Sequence, residues 1–173
     1  MNQQEIKKQI ELKYLAFVQR VSEMTAEEYL YHPSGKWNAA QHLHHLVLCV
    51  QPLVYVYMQP IKTIEEKFGR VERINKTYEE LKAIYLQQLA AGGKAPEQFV
   101  PPAGEMPSKE ALKQQLIALI GKLNDALVQM NTNDFESLQI PHPLLGLITL
   151  KEMAYNAIYH VEHHQNALVG SEK

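Results

Sequence analysis

The sequence predicts an all-α fold: a four-helix bundle with an accessory helix in a long crossover connection. Apolar residues recur at three- and four-residue spacings over long stretches, and no run alternates convincingly as a strand does. Two capping-box patterns stand where helices should begin. Long amphipathic helices joined by one proline-rich connector complete the pattern of a bundle.

The first helix is read over about Gln3 to Glu23, with Ile6, Ile10, Leu12, Tyr14, Leu15 and Val18 at helical spacings. His32-Pro33-Ser34-Gly35 is turn chemistry. Asn38 then stands as an N-cap, with Gln41 three residues on completing a capping box. The helix that follows carries Leu43, Leu46, Val47, Val50 and Val54, and Pro52 should kink or end it. A third stretch is read from about Val71 to Ala91, stopped by Gly92-Gly93. Its polar start (Glu72, Arg73, Asn75, Lys76) marks it as the peripheral, accessory helix. Pro96, Pro101, Pro102 and Pro107 rule out a continuous helix between Lys94 and Pro107. The fourth stretch runs from about Ser108 to Met130 with a broad face of Leu112, Leu116, Leu119, Ile120, Leu123 and Leu127. Pro141-His142-Pro143 and Gly146 punctuate a loop, and Thr149 with Glu152 caps the start of the last helix.

The chain has 173 residues and suits one domain, 1–173, with a proper core. A net charge of −2 gives no electrostatic case for nucleic acid or an anionic membrane. The single Cys49 excludes an internal disulfide framework, and no run approaches the ~18 apolar residues of a membrane span. With a polar start, Met1-Asn2-Gln3-Gln4-Glu5, and no apolar signal core, the expectation is a cytoplasmic protein.

Eight histidines gather mainly in two segments. In Tyr159-His160-Val161-Glu162-His163-His164, His160 and His164 are four apart and share a helix face about one turn apart, so both imidazoles can point at one ion. The apolar stripe of this helix (Leu150, Ala154, Ala157, Val161, Leu168) contains the direction of His164, with His160 at its edge and His163 pointing away. In the other segment His42 and His45 share a face and His44 lies on another. Periodicity favours His42 slightly over His45 and leaves the third ligand among His42, His44 and His45 open.

Lys36-Trp37-Asn38 with His45-Leu46 eight residues after the tryptophan resembles the second helix of the DinB-like (YfiT-like) family. The run His142-Pro143-Leu144-Leu145-Gly146-Leu147-Ile148-Thr149-Leu150-Lys151-Glu152, leading to His160-Val161-Glu162-His163-His164-Gln165, is similar to that family's loop and last helix. The family often has serine or threonine after the tryptophan; Asn38 departs from this but caps a helix equally well. The resemblance implies a divalent ion held by His45, His160 and His164. Three neutral imidazoles suit a transition metal, Zn or Ni first, over Mg or Ca, and leave positions open for reaction.

Other residues carry weaker signals. Glu162 sits between the histidines but leaves on another face, so a solvated carboxylate is expected; Glu152 is explained by capping. Cys49 follows His45 by one turn, within reach of the ion, but is read first as a small buried residue. Tyr55, Tyr57, Tyr155 and Tyr159 are read as helix packing before pocket lining, and Trp37 as the anchor of the second helix. No nucleophile-elbow, phosphate-loop or C-x-x-C signature is present. Members of the resembled family include thiol S-transferases, which join a low-molecular-weight thiol to an electrophile, and others described as metal-dependent hydrolases. The expectation is therefore a metal-dependent thiol S-transferase acting on a small-molecule substrate, with a metal-bound-water hydrolase as alternative. A non-enzymatic metal-binding module or dimer scaffold is the remaining reading, since bundles of this size often pair as homodimers.

Overall fold

The computed structural model describes residues 1–32, 35–102 and 106–169, so Pro33 and Ser34 of the expected turn lie outside the described residues. Among the described residues the chain forms α1 (Gln3–Glu23), α2 (Ala26–Leu30), α3 (Ala39–Tyr57), α4 (Ile61–Phe68) and α5 (Tyr78–Ala90). A 3₁₀ turn, Glu97–Phe99, precedes α6 (Lys109–Gln129) and α7 (Thr132–Ser137); β1 (Gln139–His142), β2 (Gly146–Thr149) and α8 (Leu150–Val169) complete it.

The four long helices make the bundle. Each of α1 and α3 packs against both α6 and α8, which closes a ring with α1 and α3 across its diagonal. Most apolar positions read from the sequence meet inside, Ile6, Ile10 and Tyr14 from α1, Leu43 and Leu46 from α3, Leu116 and Leu123 from α6, Val161 from α8, whereas Leu12 and Leu15 of α1 are exposed and Phe17 takes the core place. Burying each such side chain contributes roughly 1.5–3 kcal/mol. The expected caps are in place, with Asn38 accepting from the Gln41 amide and Gln41 reaching back to Asn38. Thr149 and Glu152 do the same at α8. No described helix is long and apolar enough to cross a membrane.

Four local expectations are corrected. Pro52 does not end its helix, which continues to Tyr57. Pro52 is exposed while Val50, Val54 and Tyr57 are buried, so the carbonyl that loses its amide partner lies on the solvent side and packing holds both flanks. The stretch from Val71 is not helical until Tyr78. Arg70 bridges Leu138, the Val71 amide donates to the Ser137 carbonyl, and Thr77 with Glu80 forms the capping box that sets the true start. Third, Gln139–His142 and Gly146–Thr149 pair as an antiparallel hairpin where a plain loop was expected. Finally, three short helices, α2, α4 and α7, were not anticipated.

Glu152 does more than cap. Its carboxylate, fully buried, accepts two bonds of 2.6 Å from Arg73 and one of 2.8 Å from the Lys76 amide. This pins the extended 71–77 segment to the start of α8, and accessory helix α5 then packs along that helix, with Tyr78 against Tyr155 and Tyr85 against Tyr159. Gly92, at φ +93, turns the chain out of α5, and at Gly93 a Cβ would lie 2.7 Å from the Gln88 carbonyl oxygen.

Candidate metal centre

Adjacent helices α3 and α8 present the two histidine clusters to each other. The Nε2 atom of His160 lies 3.2 Å from Nε2 of His45 and 3.0 Å from Nε2 of His164. Two imidazole nitrogens held by one tetrahedral ion stand roughly 3.3 Å apart, from nitrogen–metal distances of about 2.0–2.1 Å. The spacing therefore fits a shared ion.

Proton accounting strengthens the fit. The Nδ1 of His45 is 2.7 Å from the Phe99 carbonyl oxygen, which can only accept, so the ring's one hydrogen is on Nδ1 and its Nε2 is a bare lone pair. A single hydrogen on His160 Nε2 serves only one of its two neighbours. The Cys49 thiol, 3.5 Å from His45 Nε2, is the other donor within reach, and a cation at the centre would take the place of these hydrogens and meet all three lone pairs.

Burial pushes His160 and His164 well below the ordinary imidazole range, and neighbouring histidines push the same way. Burial also lowers His45, against the opposing pull of its bond to Phe99. His42 is lowered to about 4, by burial first and then by His45 and His163. All four are neutral near pH 7, the form that ligates a metal.

The other histidines do not join the trio. His42 meets His164 through the two Nδ1 atoms at 2.7 Å. His44 is buried with its Nδ1 unpartnered. His163 lies tilted against Tyr159 and edge-on to His164, and His32 pairs with Asn38. His142 accepts the Leu144 and Leu145 amides in the hairpin turn.

Trp37 has a larger part than anchoring α3. Its ring lies parallel to His164, 6.3 Å away at 9°, and against His45 and His42 at 5.0 and 5.7 Å. Cys49 Sγ is 3.5 Å from His45 Nε2, and burial pushes its thiol up to about 12, so it stays protonated. Glu162 is not simply solvated: it accepts from Lys13 at 2.9 Å and from Tyr78 at 2.8 Å. Tyr57 is core and donates to the Leu150 carbonyl, Tyr155 and Tyr159 are buried packing, and Tyr55 is exposed. The Phe99 carbonyl carries no sequence signal at all, since it is a backbone atom placed by the short turn in the connector.

Comparison with known proteins places this geometry in a family. The sequence model of the DinB superfamily matches residues 9–168. The chain belongs to the DinB superfamily. None of the curated proteins matches its sequence. Two solved four-helix bundles are similar over 98% of the chain, each at 16% identity. One is YfiT from Bacillus subtilis, a probable metal-dependent hydrolase with an unusual four-helix bundle topology, at a TM-score of 0.65 over 85% of that protein. The other is TT2238, a four-helix bundle protein, at 0.60 over 99%. At this identity the likeness is one of fold, and in this DinB chain the histidine geometry speaks for itself.

Proposed function

We propose that this DinB chain is a metal-dependent enzyme whose His45, His160 and His164 hold a divalent transition ion, Zn or Ni first. The observation that carries the reading is the convergence of three imidazoles whose ligating nitrogens all lie within 4.8 Å of one another. When bound, the ion supplies Lewis acidity that lowers the pKa of a thiol or water beside it. The chain's own residues do the rest. The Phe99 carbonyl holds the His45 proton away from the centre, and Trp37 covers one side of the cluster.

The same residues favour a thiol S-transferase over other reactions. Three neutral imidazoles leave a divalent charge uncompensated, and no carboxylate stands with the trio among the described residues. The site therefore suits an anionic partner such as a thiolate of low molecular weight. Glu162 is engaged by Lys13 and Tyr78, and Glu152 by Arg73, so neither is a free base to activate water. In the transfer a sulfur–carbon bond forms at the electrophile and the broken bond's electron pair stays with its other atom: a leaving group departs and the thiol proton goes to solvent, or, with an epoxide, the tethered alkoxide takes up that proton. Hydrolysis is the second reading, favoured by the fold likeness to YfiT, a probable metal-dependent hydrolase.

Metal content of tag-free protein, measured beside a His160→Ala/His164→Ala variant, tests the site. Near-stoichiometric metal lost in the variant supports it; a parent that refuses both Zn and Ni overturns it. Metal-dependent consumption of thiols with a bimane or epoxide electrophile supports transfer. Ester cleavage without thiol consumption selects hydrolysis, and bound metal with neither activity selects a binding module.

A further inference from the structure

The contact between His42 and His164 can be read through its hydrogens. Two Nδ1 atoms 2.7 Å apart need one hydrogen between them, because two bare lone pairs repel and two N–H groups clash. A neutral imidazole carries one hydrogen. For His164 to offer a lone pair at Nε2, where it faces His160, its hydrogen must sit on Nδ1. The acceptor waiting there is the bare Nδ1 of His42, whose own hydrogen is then on Nε2.

We propose that His42 is a positioning residue for the metal centre: it accepts the Nδ1–H of His164 and so commits the His164 Nε2 lone pair to the trio. This rests on the metal reading above and deepens it. The reverse arrangement, with the hydrogen on His42, would put an N–H of His164 into the centre and close that ligand position.

Trp37 holds the pair in this register. It stacks on His164 and presents an edge contact to His42, so neither ring turns without disturbing the indole. Helix α3 therefore serves the site twice from one face. His45 supplies a member of the trio, and His42, three residues earlier, orients a member that belongs to α8. The two outer partners also differ in kind. His45 is oriented by a backbone carbonyl, which no substitution removes; His164 is oriented by a side chain, which one can.

Two measurements test the role. Long-range ¹H–¹⁵N spectra of the metal-free, ¹⁵N-labelled protein read the tautomers directly. The expected pattern is Nδ1–H on His164 and Nε2–H on His42; the opposite pattern overturns the assignment. Zinc affinity, by competition with a chromogenic chelator, is then compared among the parent, His42→Leu and His42→Asn. Asparagine restores an acceptor near the Nδ1 position, whereas leucine leaves none. His42→Leu should weaken zinc binding about 10- to 100-fold, as loss of an outer-sphere partner does, and His42→Asn should recover most of it. Equal affinity in parent and His42→Leu overturns the positioning role while leaving the metal reading standing. Equal loss in both variants also overturns it, since packing rather than acceptance would then be at work. A parent that binds neither zinc nor nickel sinks the metal reading and this role with it; one that takes only nickel is compared with its variants by nickel affinity, and the tautomer spectrum stays decisive where His42→Leu fails to fold.

Discussion

Replacing Glu152 by glutamine tests how the last helix, which carries His160 and His164, is anchored. Burial alone would raise the Glu152 carboxyl. The Arg73 bonds, with those of the Lys76 and Thr149 amides, outweigh burial and hold it at about 2. Set against the ordinary value of 4.5, that depression contributes about 3 kcal/mol of stability at neutral pH. The folded value lies below the unfolded one, so the contribution is complete above pH 4.5 and is lost as pH falls toward 2. Glutamine cannot carry the charge and turns an amine toward Arg73. Urea unfolding followed by circular dichroism should show Glu152→Gln less stable by about 3 kcal/mol at pH 7, a drop in midpoint temperature of roughly 6–12 °C for a domain of this size. Parent and variant should converge as pH falls from 4.5 toward 2. A difference below about 1 kcal/mol at pH 7, or one that does not shrink on acidification, would refute the assignment of a charged anchor.

Three further outcomes follow from other parts of the molecule. Trp37 is the single tryptophan and lies against His42, His45 and His164, so Ni²⁺ should quench its emission with saturation at one equivalent; unchanged emission on verified binding would count against the stacked arrangement. In metal-free protein at pH 8 the partly buried Cys49 should react with a disulfide reagent more than about 100-fold more slowly than free cysteine, and fast labelling would contradict its raised pKa. Gly93→Ala should cost about 1–3 kcal/mol, because its Cβ would meet the Gln88 backbone oxygen at 2.7 Å, and an unchanged urea midpoint would show that the turn yields.

The bundle was legible because its signals are local and repeated. Asn38 with Gln41 and Thr149 with Glu152 mark two starts, and the leucines of α6 trace one face unaided. The 71–77 segment misled because its polar residues resemble a solvated helix face; its real partners are Glu152, bonded to Arg73 and Lys76, and Ser137, bonded to Val71, between 66 and 79 positions away in the chain. The hairpin hid because each strand has four residues and the first contains Pro141. At the site, His160 and His164 were readable from their spacing. The choice between His42 and His45 was not, since residues three apart share a face and both point inward. What separates them is which ring nitrogen meets α8 and which meets the connector, a matter of tertiary geometry. Family resemblance implied His45, and the structure places it in the converging trio, with His42 one contact further out.

The bond from His45 to the Phe99 carbonyl joins the histidine cluster to the long loop between α5 and α6. Thermodynamic reciprocity then applies: whatever strengthens the demand for a lone pair at His45 Nε2 strengthens its Nδ1–H as a donor, and so tightens the hold on the loop. In the other direction, a partner or a substitution that lifted Glu97–Phe99 away from α3 would free the ring to turn and lower its hold on a cation by the same factor. A proline-rich connector between two helices thereby becomes a handle on the chemistry, with a single carbonyl oxygen as the point of attachment.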